Sequence, residues 1–286
     1  MVNQRPPSRR QSLAQWPAKR DSVRSVNTPA DVVGRIGALL RAVSTHEPAG
    51  ATTSLLGRQS GLARPTVHRL LASLLAEGLV DRDPGTGLWQ LGPELFLLGS
   101  AARPRYDVTA LAQPHVRRLA VATGESAFFS ARRGDETVCL VREDGSFPIR
   151  SHVLVEGIRF PLGVASAGIA VLAFLPDPEI DDFLGRVDLT AAHGQQHAPD
   201  AVRRRVAETR ASGWALNPGL IVEGSWGMGA AVFDADDRPA WALSLTGIER
   251  RFDPNRRREL GGLLLHEAHE LSRSLRLPRP GSGPTS

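Results

Sequence analysis

The chain has 286 residues, a length that favours two domains over one, and its 41% hydrophobic content suffices for ordinary cores. A single cysteine, Cys139, excludes an internal disulfide and fits a reducing compartment. No apolar run reaches the roughly eighteen residues of a membrane span, and the basic N-terminus lacks the apolar stretch of a signal peptide, so a cytoplasmic protein without a membrane partner is expected. The formal net charge of +5 is matched by the first 25 residues alone, where Arg5, Arg9, Arg10, Lys19, Arg20 and Arg24 face only Asp21. Such an arm suits a polyanion, because neutralised phosphates release counterions; a solvated tail is the alternative.

Residues 1–26 lack periodicity and read as a disordered basic tail. The first helix is expected from "NTPADVVGRIGALLRAV", with Thr28 as N-cap, Pro29 in the first turn and Asp31 at the positive helix end. A second, shorter helix spans Thr53–Ser60, capped by Thr52 and ended by Gly61. A third begins at Pro65, with Arg64 held extended before it. Its buried stripe is Val67, Leu70, Leu71, Leu74 and Leu75, while Thr66, Arg69 and Ser73 share another face. "LVDRDPGTGLWQL" reads as a strand, a tight turn and a second strand.

Three helices followed by a hairpin make a winged helix-turn-helix over residues 27–91. A short helix enters the major groove when a leucine stripe braces it from behind. Thr66, His68 and Arg69 then point outward toward base edges, with Ser73 on the same exposed side as Arg69. Arg64 reaches a base or a phosphate, Arg58 the DNA backbone, and Arg82 with the Thr86 tip the adjacent backbone or minor groove. A protein-interaction module is the bland alternative, since the local charge is nearly balanced.

Residues 92–107 read as a connector helix whose Leu95, Phe96, Leu97 and Leu98 are too apolar for a free linker; a second copy of the chain is the expected cover. A helix containing Pro114 follows. Glu125–Leu162 shows alternating runs expected as antiparallel strands, including "RSHVLVEG". "SAGIAVLAFLP" is a small-residue helix, and "APDAVRRRVAETRASG" an amphipathic one stopped by Gly213. "WGMGAAVFDADDRPAWALSLTGI" reads as two strands around an Asp-Asp turn, and a long final helix ends before a tail at 278–286. Residues 108–277 are thus an α+β domain.

"GLARPTVHRLLASLLAEGLVDRDPGTGLWQLGPELFLLG" resembles the N-terminal signature of the IclR family of bacterial transcription regulators: Gly61-Leu62, then Thr66 to Leu71, then Leu91-Gly92-Pro93. Arg64-Pro65 departs from it where members often carry polar or basic residues. The resemblance continues through "GIRFPLGVASAGIAVLAFLP" and "EGSWGMGAAVFDADDRPAWALSLTGI". It implies a GAF-like antiparallel-sheet domain that binds a small-molecule effector, often an organic acid or aromatic compound, and oligomerises as a homodimer or homotetramer. Departures there are Gly163 where His is frequent, Ile169 where Lys is common, Ala231 for the usual Pro, and no acid in "NPGLIV".

For such an effector, the helix starting near Ser166 offers free N–H groups and a positive dipole end. Gly157, Gly163 and Gly227 permit close backbone approach, and Trp226 offers a ring to stack on. Ser244 and Thr246 alternate along one strand and match the family's Ser-x-Ser pair. Each has a plain alternative as cap, packing or core. No hydrolase elbow occurs; His266, His269 and Glu270 lack metalloprotease spacing; His193 and His197 lie in a polar loop; and Cys139 sits in an apolar run. No catalytic residue, metal or cofactor is therefore expected. The expectation is a DNA-binding regulator, a repressor more than an activator, controlled by an effector; the alternative is a regulator whose C-terminal domain only dimerises.

Overall fold

The computed structural model describes residues 31–106, 108–151 and 153–276. The basic tail, the Thr28–Pro29 cap and the C-terminal tail lie outside them. The chain divides into two compact units that meet in sequence between His115 and Val116.

In the first unit, α1 (Val32–Ser44) is capped by Asp31, whose carboxylate accepts the Gly34 N–H at 2.7 Å. α2 (Thr53–Ser60) is capped by Thr52, which accepts the Leu55 N–H, and ends at Gly61 in the left-handed region. α3 (Arg64–Ala76) starts one residue earlier than the proline suggested. Ala63 is the extended cap and its carbonyl accepts the Val67 N–H at 3.0 Å, so Arg64 is already helical and Pro65 is second. β1 (Val80–Arg82) and β2 (Trp89–Leu91) form the hairpin.

The core behind α3 is Leu39, Val43, Leu56, Val67, Leu71, Leu74, Val80 and Trp89; Leu75, expected inside, is 41% exposed. The hairpin is tied to the helices by a two-way backbone bridge from Ala51 to Trp89 and by the Trp89 indole N–H donating to Thr53 Oγ1 at 2.9 Å. Gly92 packs on Gly78: a Cβ there would stand 2.1 Å from the Gly78 carbonyl oxygen, so the Leu-Gly-Pro step needs its glycine. α4 (Pro93–Tyr106) leaves Phe96, Leu97 and Leu98 more than half exposed. α5 (Val108–Thr123) continues through Pro114.

The second unit is built on a six-stranded antiparallel sheet in the order β5-β4-β3-β8-β7-β6. Its members are β3 (Ser126–Arg133), β4 (Glu136–Glu143), β5 (Arg159–Pro161), β6 (Ala215–Pro218), β7 (Ser225–Phe233) and β8 (Pro239–Ile248). α6 (Ser166–Ala173), every residue of it buried, packs on one face with α9 (Pro199–Ser212) behind it. α10 (Pro254–Arg276) packs on β7 and β8. α7 (Asp177–Arg186) and α8 (Thr190–His193) connect α6 to α9.

Two expectations are corrected. Around "RSHVLVEG", the described residues 150–151 and 153–156 form no strand, because the turn from Val155 to Ile158, with Gly157 at a φ of 81°, breaks the run before it pairs along β4. His197 is not in a solvated loop but in a 3-10 turn, Gln195–His197, where it is 1% exposed.

Candidate nucleic-acid interface and buried hydroxyl site

α3 is braced as its leucine stripe requires, and its other side is open. Arg64, His68, Arg69 and Ser73 are exposed and Thr66 is half-buried. Arg64 and Arg69, and Arg58 near the end of α2, have no acidic partner within ion-pair distance among the described residues. Ser73 donates its hydroxyl to the Arg69 carbonyl at 3.1 Å, which keeps that side chain against its own helix. The face therefore carries two unneutralised guanidinium groups, a hydroxyl and an imidazole on a rigid rod of 13 residues. That is a donor set suited to phosphates and to guanine edges.

The wing is held in shape by its own chemistry. Asp83 accepts the Thr86 N–H at 2.6 Å, the Thr86 hydroxyl at 2.8 Å and the Gly85 N–H at 3.0 Å. These Thr86 bonds hold the Asp83 carboxyl below the usual aspartate range. Arg82 lies along the hairpin, its Nε donating to the Gly87 carbonyl and its guanidinium 5.3 Å from the Trp89 ring centroid. Thr86 stands at the exposed tip, with its hydroxyl already committed to Asp83.

In the second unit, strand register decides which expected residues share a site. Gly227 pairs with Thr246 and Gly229 with Ser244. A Cβ on Gly227 would stand 3.1 Å from Ser166 Oγ, and one on Gly229 2.8 Å from the Ser166 carbonyl oxygen. Ser244 and Thr246 thus face α6 beside two glycines that let its first turn sit close to the sheet. Both side chains are buried, and neither hydroxyl has a hydrogen-bond partner. The N-cap of α6, Ala165, offers no side-chain hydrogen bond, so the helix's first N–H groups stay available. Asn217 stands nearby but is spent: it donates to the Val164 carbonyl at 2.7 Å and accepts the Leu220 N–H. An orphaned buried hydroxyl costs about 1–3 kcal/mol, and two beside an uncapped helix start form a seat for a polar ligand.

Other expected contacts fall elsewhere. Trp226 pairs with Gly247 and lies on the opposite face of the sheet, 6.4 Å from the Phe252 ring, with the Arg257 guanidinium 5.4 Å over it. Stacking on a ligand held by Ser244 and Thr246 is therefore corrected to packing under α10, because neighbouring residues of a strand point to opposite faces. The missing Cβ of Gly163 points at Leu189 and Val202, which makes it a packing glycine, and Gly157 lies in the turn beside β4 with open space around it. Burial pushes the Cys139 thiol up to about 12, so it is an inert core group. His266 and His269 are exposed, and Glu270 pairs with Arg273 at 3.0 Å.

A family model for the C-terminal domain of the bacterial transcriptional regulator IclR matches residues 101–273, and one for the IclR helix-turn-helix domain matches residues 32–84. The transcriptional repressor IclR of Escherichia coli (strain K12) is 26% identical over 268 residues, covering 91% of this chain and 97% of that protein. The glycerol operon regulatory protein of Streptomyces griseus is 31% identical over 196 residues, covering 68% and 76%. A crystal structure of an IclR homologue from Microbacterium hydrocarbonoxydans, complexed with 4-hydroxybenzoate, shares the fold with a TM-score of 0.69 at 21% identity, covering 85% of this chain and 98% of that one. These relatives are regulators of transcription, not enzymes. With an open, arginine-bearing helix on a winged scaffold and a separate α+β domain later in the sequence, the chain belongs to the IclR family of DNA-binding bacterial transcription regulators.

Proposed function

We propose that the chain is a cytoplasmic repressor released from, or locked onto, its operator by a small organic acid or aromatic effector. The observation that carries the effector half is the pair of buried, unpartnered hydroxyls of Ser244 and Thr246 facing the uncapped start of α6. Ser166 and Gly227 complete the seat. A ligand with a carboxylate or phenol satisfies both hydroxyls and the helix N–H groups at once. The bound 4-hydroxybenzoate of the Microbacterium homologue has both chemistries and supports that class.

On the DNA side, Thr66, His68 and Arg69 read base edges, Arg64 a base or phosphate, Ser73 the flank of the same face, and Arg58, Arg82 and Thr86 the backbone. A winged helix covers a few base pairs, so useful affinity needs two or four copies on a near-palindromic operator. The exposed Phe96, Leu97 and Leu98 of α4 are the surface proposed to pair with a second copy. The effector acts by binding one conformational state more tightly, which changes operator affinity by the same coupling factor in both directions.

Fluorescence anisotropy with DNA from the gene's own upstream region, repeated across a panel of carboxylic acids and phenols, tests the reading. An effector that shifts both operator affinity and melting temperature in the wild type, but not in Ser244→Ala, supports it. A domain that only dimerises responds to none of the panel.

A further inference from the structure

The wing carries a single cation. Between Val80 and Leu91 the only basic residue is Arg82, flanked in sequence by Asp81 and Asp83. Neither carboxylate lies within ion-pair distance of it among the described residues. Asp81 points to the opposite face of the strand, and Asp83 is turned onto Gly85 and Thr86. What the wing can offer a phosphate therefore depends on where that one guanidinium stands.

Its place is set by a short chain of contacts that starts on α2. Arg82 and Trp89 are cross-strand partners in the hairpin, so their side chains share a face. The Arg82 guanidinium lies 5.3 Å from the Trp89 ring centroid, and its Nε donates to the Gly87 carbonyl at 3.3 Å. Its Nη1 and Nη2 make no hydrogen bond among the described residues, and the side chain is exposed. The Trp89 ring beneath it is itself fixed. Trp89 is buried, and its indole N–H donates at 2.9 Å to Thr53 Oγ1, in the first turn of α2. Gly50 allows the chain before α2 to lie this close: at a φ of 78°, its missing Cβ would stand 3.0 Å from Leu88 Cβ. A valine in place of Thr53 would keep the shape and leave the buried indole N–H without its acceptor.

We propose that Thr53 and Trp89 are positioning residues for the wing: on the reading that Arg82 meets the DNA backbone, they hold its guanidinium so that Nη1 and Nη2 face a phosphate while α3 lies in the major groove. The Trp89 ring is a flat platform for the guanidinium. Thr53 ties that ring to the helix preceding α3, so the wing and the recognition helix keep one spacing. The partner is a backbone phosphate, because the guanidinium fork matches its oxygens in pairs.

The test is the salt dependence of affinity for one duplex from the gene's own upstream region, measured by fluorescence anisotropy on full-length variants well below their melting temperatures. The slope of log affinity against log salt counts neutralised phosphates, about 0.9 for each. Arg82→Ala lowers it by about 0.9. Thr53→Val lowers it equally although it removes no charge, and Thr53→Ser, which keeps the hydroxyl, restores it. The Thr53→Val/Arg82→Ala double variant loses no more than either alone. A merely structural role would reduce the active fraction and leave the slope unchanged. Thr53→Ala, equally without the hydroxyl, gives the same reading if Thr53→Val does not fold. A wild-type slope in both Thr53→Val and Thr53→Ala, with that of Arg82→Ala reduced, overturns the positioning roles and leaves the wing reading intact. An unreduced slope in Arg82→Ala overturns the wing reading and the proposal with it.

Discussion

The two units treat arginine in opposite ways. In the second, many of the charges are answered: Arg251 forms a two-point pair with the buried Glu125, and Arg118 does the same with Glu267. Arg186 bridges Asp135 and Asp182, and Arg203 and Arg210 hold Asp181 and Asp177. On α2 and α3, Arg58, Arg64 and Arg69 are exposed and have no ion pair among the described residues. Arginine that is paired holds a domain together; arginine left unpaired on a rigid rod is available to a polyanion.

The comparison can be broken first at Glu125. Glu125→Gln strips the counter-charge from Arg251 and is expected to destabilise the C-terminal domain by about 3–5 kcal/mol, read by denaturant unfolding. A loss under about 1 kcal/mol, the level of an exposed pair, would mean that this arginine is no better matched than a surface one. Next is Gly229→Ala, whose Cβ meets the first turn of α6; overpacking there should cost about 1–3 kcal/mol and blunt any effector response. Arg58→Ala should leave stability unchanged and weaken all DNA sequences alike, with the salt-dependence slope falling by about 1. Ser244→Ala removes a buried hydroxyl without a partner, so the effector-free domain should keep or gain stability, by up to about 1–3 kcal/mol, while effector binding is lost.

Acid provides a further check at His197, which burial pushes down to about 4, below its unfolded value. Above the ordinary histidine range both states are then neutral and the group contributes nothing. As pH falls, the unfolded chain binds the proton first, and stability declines progressively until about pH 4. His197→Phe should flatten that slope.

Local chemistry was legible in the sequence, and register was not. Thr52, Gly61 and Gly213 cap their helices as read, because a cap depends on a handful of neighbouring atoms. Ser244 and Thr246 were placed on one face by parity alone. Nothing in the sequence said that Trp226 pairs with Gly247, so its position on the other face had to come from the sheet. Asp177-Pro178 ahead of Glu179 is a helix-start signal for α7 that the reading passed over, and β6 was hidden in a stretch rich in turn residues. The burial of His197 was invisible, because a polar loop looks solvated until its packing is known.

The most direct measurement is the base-preference profile of the wild type and of Arg69→Ala, each selecting from a random duplex library. The account predicts that the variant keeps its stability but loses discrimination worth about 1–3 kcal/mol at one position in each half-site. Identical profiles for the two proteins would contradict it.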